Sequence, residues 1–269
     1  MPLNYEYSFE IRPGKPVFIQ RKDALDQGKR LTTAIEEEYQ PSDLFFHFRK
    51  RGGHVAAMKK HLGNAYFSRF DLNDFFGHVT RTKIVRALRN LGWSHKDAFF
   101  DAVDSVVVLN GQRVLPFGFH QSPLIATLVL EQSLLGQFLQ RQAHRGFTVS
   151  IYMDDILISG NDQASLADTS AELVEVAASA GFPVSAQKQA VALEEATIFN
   201  CVLNQDSVRF LDRRMRKFLV DHDATSDLGK QAIEGYIRAV SHDEHESFLR
   251  QLDQPDDSAG FGVNVRRFP

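Results

Sequence analysis

Residues 149–159 read Val-Ser-Ile-Tyr-Met-Asp-Asp-Ile-Leu-Ile-Ser, and the reading of this stretch decides the fold. Val149, Ile151, Ile156 and Ile158 are β-branched and alternate along both arms, as in two half-buried strands joined by a tight turn. Asp154 and Asp155 fall at the tip, where short carboxylates are well tolerated, so an ordinary acidic turn accounts for them. A site for divalent cations accounts for them too, because two adjacent like charges repel and a bound Mg²⁺ offsets that cost. The hairpin alone leaves both readings open.

A cation site needs an acid from a second strand. The segment Tyr-Phe-Ser-Arg-Phe-Asp-Leu-Asn-Asp-Phe-Phe-Gly-His-Val, residues 66–79, supplies Asp71 at the end of an aromatic-rich, strand-like run, followed by Asn73 and Phe75–Phe76. A strand-end cap explains Asp71 by itself but not its pairing with an acidic hairpin. Three carboxylates from two strand ends can hold two metal ions, the arrangement that activates a 3′-hydroxyl and stabilises departing pyrophosphate in in-line phosphoryl transfer.

Taken together these motifs resemble a known set. Tyr152-Met-Asp-Asp155 and Phe70-Asp-Leu-Asn-Asp-Phe-Phe76 are similar to motifs C and A of the reverse transcriptases, and Leu115-Pro-Phe-Gly-Phe-His-Gln-Ser-Pro123 between them resembles motif B in order and spacing. The resemblance implies an α+β fold, a right-hand polymerase palm with fingers and a short helical thumb. Residues 1–65 would supply fingers, 66–204 the palm with interleaved fingers elements, and 205–269 the thumb. It also implies two Mg²⁺ ions, with Mn²⁺ as a substitute, on Asp71, Asp154 and Asp155, with a backbone carbonyl from Leu72. Hard cations prefer such oxygen donors.

Further assignments follow from the same resemblance. Phe76, five positions after Asp71, stands where reverse transcriptases place an aromatic ring under the sugar; the alternative is that Phe75 and Phe76 are both simply core residues, as at least one of them is. In motif B this chain has Phe117 where many relatives have Gln, which removes a side-chain hydrogen bond to the nucleotide. Gly118 would allow close backbone approach, and Gln121 and Ser122 offer polar contacts near a helix start, although Ser122–Pro123 is equally a helix cap. Lys188, in a segment similar to motif D, is either the proton donor to pyrophosphate or an exposed lysine. Arg49, Arg51, Lys59 and Lys60 are the candidates for the triphosphate. Tyr152 would face the primer end and Phe199 would fall in the primer grip, where Asn200–Cys201 replaces the usual Leu-Gly. Arg213, Arg214, Arg216 and Lys217 form a second basic cluster suited to phosphate contacts, a solvated helix face being the alternative.

Bulk composition is that of a soluble globular chain: 269 residues, 43% hydrophobic and 24% charged. The net charge of −3 runs mildly against a nucleic-acid binder, but the basic residues cluster around the proposed site and the acidic ones in the tail. No apolar run approaches the roughly 18–20 residues that span a bilayer, and the N-terminus lacks a signal-peptide pattern. The single cysteine, Cys201, excludes an internal disulfide. These features place the chain in the cytoplasm, without a membrane partner.

Helices are expected over 24–39, from Thr80 to Gly92, from Ser94 through Val103, over 124–142 and over 164–180. Asn110–Gly111 marks a hairpin, and 197–203 with 207–210 a second one. Ala232 to Leu252 resembles the thumb of bacterial reverse transcriptases related to retrons, group II introns and antiphage defence systems. The expectation is therefore a stand-alone RNA-directed DNA polymerase, defence-associated rather than retron-like because the Val-Thr-Gly thumb signature is absent. Its partners would be a structured non-coding RNA template, dNTPs and a DNA product, with a protein partner or homo-oligomer possible. Template-independent or protein-templated synthesis on the same fold, a retroelement enzyme, and a palm that only binds nucleic acid are the alternatives. Intact Asp71, Asp154 and Asp155 argue against the last.

Overall fold

The computed structural model describes residues 3–49 and 52–253. Two compact units divide the chain: Met1–Ala196 with Asn204–Asp206, and Thr197–Leu203 with Ser207–Pro269. The first unit opens with an antiparallel hairpin of β1 (Tyr5–Arg12) and β2 (Lys15–Gln20), turning at Pro13–Gly14. Gly14 sits at φ +76°, the left-handed conformation a type II turn demands after proline. α1 (Lys22–Glu38) stops before Gln40–Pro41, and α2 (Gly53–Lys59) follows.

β3 (Tyr66–Asp71) leads through α3 (Arg81–Asn90) and α4 (His95–Asp104). Both helices start as their sequence demands: the Thr80 hydroxyl accepts from the Lys83 N–H and the Ser94 hydroxyl from the Asp97 N–H. β4 (Val107–Leu109) and β5 (Gln112–Val114) pair around Asn110 and Gly111, at φ +50° and +77°, the two left-handed positions of a type I′ turn.

The helix expected over 124–142 is two helices, α5 (Ser122–Glu131) and α6 (Leu134–His144). Ser133 is extended, and its hydroxyl accepts from the Gly136 N–H, capping α6 afresh. Any Cβ at position 136 would lie 2.3 Å from the Leu130 carbonyl oxygen, so glycine permits the tight join. β6 (Thr148–Tyr152), β7 (Asp155–Gly160), α7 (Gln163–Ser179) and β8 (Ala190–Leu193) complete the unit.

β6, β7, β3 and β8, in that order, form one antiparallel sheet. Ile151, Ile156, Ile158 and Phe70 from this sheet share one core with Ile84 and Leu88 of α3, Leu124, Ile125, Leu128 and Leu130 of α5, Phe138 of α6 and Leu173 of α7. Each such side chain contributes about 1.5–3 kcal/mol on burial. α5 is buried on every side along 124–130, consistent with its nearly unbroken apolar sequence. The result is a layer of helices under an antiparallel sheet, an α+β architecture.

In the second unit β9 (Ala196–Ile198), β10 (Cys201–Leu203) and β11 (Val208–Phe210) form a sheet ordered β11-β10-β9. α8 (Asp212–Ala224), α9 (Asp227–Val240) and α10 (His242–Leu252) follow. The rings of Phe210, Phe218 and Tyr236 meet edge-on at 5.1–5.8 Å, and the Glu244 carboxylate accepts the Phe210 N–H. These contacts join the small sheet to the helices within one compact unit. Cys201 is buried and its thiol is pushed up to about 12 by burial, which leaves it inert. Among the described residues no helix is long and apolar enough to cross a membrane.

Candidate active site

The acidic hairpin turns one residue earlier than its sequence suggests. Tyr152 pairs with Asp155, so Met153 and Asp154 form the turn and Asp155 opens β7. Met153 takes φ +58°, the first-position geometry of a type II′ turn, where glycine is usual. On the neighbouring strand Asp71 is the direct partner of Asp155. Opposed residues of an antiparallel pair project to the same face, about 5 Å apart. The Leu72 N–H donates to the Asp154 carbonyl at 2.9 Å, which ties the end of β3 to the turn.

A third segment closes on this pair. Asn73 N–H donates to the Pro183 carbonyl and Ser185 N–H to the Asp71 carbonyl, both at 2.8 Å. The short 3₁₀ turn Ala186–Lys188 is thereby held beside β3, and Lys188 Nζ donates to Asp71 Oδ1 at 2.5 Å and Oδ2 at 3.1 Å. Arg69, two residues before Asp71 and on the same face, donates through Nη2 to Asp155 Oδ1 at 2.9 Å. Burial pushes the Asp154 carboxyl above the usual range, the nearby Asp71 charge adds to this, and Lys15 and Lys188 oppose it. Burial likewise raises Asp155, against the hydrogen bond from Arg69.

Asp71, Leu72, Asp74, Asp154 and Lys188 line a cleft of about 430 Å³ together with Arg12, Lys15 and Phe117. That is the size of a small-ligand site. The sequence reading missed Arg12 and Lys15. They are the last and first residues of β1 and β2, brought to the cleft by the Pro13–Gly14 turn. The signal was present: a Pro-Gly dipeptide between two alternating runs is a hairpin mark. Lys15 Nζ lies 4.1 Å from the centroid of Phe117, whose ring meets the Phe76 ring edge-on at 4.5 Å. Phe76 is buried and stacked on Phe75, and the rings that line the cleft are those of Phe75 and Phe117.

Several expected nucleotide contacts are placed elsewhere. Gln121 is buried, hydrogen-bonded to Gln20 and Ser105, and turned into the core. Ser122 is buried too and donates to the Pro116 carbonyl. Gly118, at φ +99°, makes its close approach to the Phe18 carbonyl of β2, 2.3 Å from where a Cβ would stand, rather than to open cleft. Arg49 lies over the Phe46 ring and donates to the Asp43 carbonyl; Lys60 donates to the Val149 carbonyl at 2.9 Å; Lys59 is exposed. None of the three lines the cleft. Arg51 lies outside the described residues.

Tyr152 ends β6, its ring 5.8 Å from that of His47 and 5.9 Å from that of His54. In the second unit Phe199 and Asn200, both at positive φ, form the β9–β10 turn. Arg213 and Arg216 are exposed on α8, Arg214 covers the Phe218 ring, and Lys217 pairs with Asp221.

The donor set fits a hard divalent cation. Asp71, Asp154 and Asp155 offer only oxygen, and burial makes uncompensated charge there costly. Among the described residues no three acidic, His or Cys side chains form a preformed cage. Mg²⁺ needs none, since it is held by one or two carboxylates and completed by substrate phosphates.

The family model for reverse transcriptases (RNA-dependent DNA polymerases) matches residues 25–214, and the chain belongs to that family. Its fold is similar to that of a telomerase. Telomerase from Candida albicans, solved with a fragment of telomeric RNA, matches at 11% identity over 84% of this chain and 46% of its own, with a TM-score of 0.54. The foamy viral protease–reverse transcriptase solved with an RNA/DNA hybrid matches at 17% identity over 69% of this chain and 23% of its own, with a TM-score of 0.46. The chain thus spans from about a quarter to about half the length of these relatives. Among curated proteins none matches.

Proposed function

We propose that this chain is an RNA-directed DNA polymerase that extends a 3′-hydroxyl with deoxynucleotides by two-metal phosphoryl transfer. The observation that carries the reading is the convergence of Asp71 and Asp154, from distant segments, in one cleft that also holds Arg12, Lys15 and Lys188. Carboxylates beside ammonium and guanidinium groups in one cleft match a metal-bound triphosphate.

In this reading Arg12 and Lys15 take the triphosphate, a role that falls to the first hairpin rather than to residues 49–60. Phe117, backed by Phe76, floors the sugar and selects against a 2′-hydroxyl. Asp71, Asp154 and Asp155, with the Leu72 carbonyl, would hold two Mg²⁺. When bound, the ions favour ionisation of the 3′-hydroxyl and neutralise charge on the leaving group. The 3′-hydroxyl gives its proton to solvent as its oxygen bonds to the α-phosphorus, the bond to pyrophosphate breaks, and Lys188 Nζ hands a proton to the departing oxygen. Tyr152, Phe199 and the α8 cations, Arg213 and Arg216 foremost, serve primer and template.

The proposal extends to a cytoplasmic bacterial enzyme of antiphage defence that copies a cognate structured RNA. Its support is the thumb-like segment, in which α9 carries Gly235–Tyr236 and α10 follows directly. Incubation of the pure protein with Mg²⁺, single dNTPs and defined RNA templates tests the core reading, with sequencing of the product and of any copurifying RNA. Template-complementary DNA supports it. Products that ignore the template favour template-independent synthesis, and no incorporation at all leaves a binding module.

A further inference from the structure

The first residue of a two-residue hairpin turn has no ladder partner for its N–H. At the tip of the acidic hairpin that residue is Met153, whose N–H donates to His47 Nδ1 at 3.2 Å. The other ring nitrogen, Nε2, lies 2.9 Å from Thr127 Oγ1. The Thr127 hydroxyl in turn donates to the Pro123 carbonyl at 2.9 Å. The direction of every bond follows. Thr127 has one proton and has given it away, so Nε2–H donates to Thr127 Oγ1, and Nδ1 keeps the lone pair that Met153 uses. Three hydrogen bonds therefore run from the first turn of α5 to the turn that carries Asp154.

The surroundings hold the ring in this state. Its neighbours are the rings of Phe48 at 4.5 Å, Tyr152 at 5.8 Å and Phe45 at 6.1 Å. Burial lowers its pKa to about 4, outweighing a backbone hydrogen bond at Ile151 that raises it, and keeps the ring neutral and able to accept. The contact has work to do, because a non-glycine residue at positive φ, as Met153 is, costs about 1–3 kcal/mol and persists only when its surroundings hold it.

We propose that His47 is a positioning residue for the polymerase reaction: as the Nε2–H tautomer it accepts the Met153 N–H and fixes the turn, and so the Asp154 carboxylate, in register with Asp71. This rests on the polymerase reading above, which makes Asp154 a ligand of the reacting centre. His47 touches no reacting atom and acts through the backbone of Met153.

The experiment has two arms. In the first, ¹⁵N-histidine-labelled wild-type protein is read by NMR at neutral pH: a protonated Nε2 and a bare Nδ1 at His47 are expected, and the opposite tautomer overturns the proposal. In the second, single-nucleotide incorporation is measured for His47→Phe, which keeps a ring and loses the acceptor, and for His47→Asn, whose Oδ1 takes the place of Nδ1. His47→Phe should lower kcat about 10- to 100-fold with the KM for dNTP nearly unchanged, the scale of a 1 Å misplacement. His47→Asn should recover most of the loss. Wild-type kcat in His47→Phe, or equal losses in both, overturns it. If His47→Phe does not fold, Thr127→Val replaces it, since it removes the acceptor that fixes the tautomer and should lower kcat in the same way. A wild-type protein that incorporates no nucleotide defeats the polymerase reading, while the NMR arm still decides the tautomer.

Discussion

Replacing His61 with glutamine should make the fold less sensitive to acid. His61 follows α2 and is fully buried, with Nδ1 2.7 Å from Ser159 Oγ on β7 and Nε2 2.8 Å from Ser150 Oγ on β6. It thus pins both strands of the acidic hairpin. Burial, aided by the charge of Lys60, lowers its pKa from 6.5 to about 3. Between those values the unfolded chain binds a proton that the folded protein refuses. The contribution of His61 to stability is therefore complete above about pH 6.5 and is lost as the pH falls toward about 3. Each pH unit in that window is worth about 1.4 kcal/mol, so acidification from pH 6.5 to 4.5 should cost on the order of 3 kcal/mol, against a typical total of about 5–15. Urea unfolding of wild type and His61→Gln between about pH 7 and pH 4.5 measures this. Asp101, raised to about 6 chiefly by burial, titrates in the same range with opposite sign, and His47 titrates with the same sign. Both are present in both proteins and cancel in the difference. The wild-type curve should fall more steeply, and parallel curves would refute the reasoning.

Four further outcomes are expected. Asp154→Asn should lower incorporation by at least about a thousandfold, several kcal/mol of lost electrostatic stabilisation. Its melting temperature should not fall, because a raised pKa means the charge is unfavourable in the folded protein; a large drop would contradict this. Lys15→Ala should raise the KM for dNTP about tenfold with little change in kcat, one charge-assisted contact's worth, whereas Lys60→Ala should leave KM unchanged. Phe76→Val should reduce the preference for deoxy- over ribonucleotides by about tenfold or more, read as a ratio of kcat/KM values. Gly118→Ala should destabilise the protein by on the order of 3 kcal/mol in urea unfolding, because the new Cβ meets the Phe18 carbonyl at a left-handed φ.

The core of the candidate site was legible because its pattern is local: Asp71 ends one strand, and Asp154–Asp155 stand where two others join. Capped helices were legible for the same reason, with Thr80 and Ser94 marking starts that the structure keeps. What escaped depends on long-range placement. The β1–β2 hairpin alternates in sequence around Pro13–Gly14, but its apolar residues Tyr7, Phe9 and Ile11 are exposed, so its pattern does not say where the hairpin docks. Arg12 and Lys15 then reach the cleft only through tertiary folding. Gln121 has the residue type of a substrate contact, and only its burial against Gln20 shows otherwise. The break between α5 and α6 lies in Ser133 and Gly136, ordinary residues in an apolar run, and is set by a carbonyl one turn away.

The Lys188–Asp71 ion pair has a consequence for how the protein lives without its reactants. An ammonium at 2.5 Å from Asp71 already balances that charge, as the Arg69 guanidinium does for Asp155. Tertiary structure and divalent loading are therefore separable: a chelator should silence the enzyme and leave its melting curve where it was. Lys188 must also swing off the carboxylate before that oxygen can be used, and an incoming polyphosphate is the natural competitor for its amine. On the proposed reading, the same lysine thus balances Asp71 before the nucleotide arrives and its phosphates afterwards.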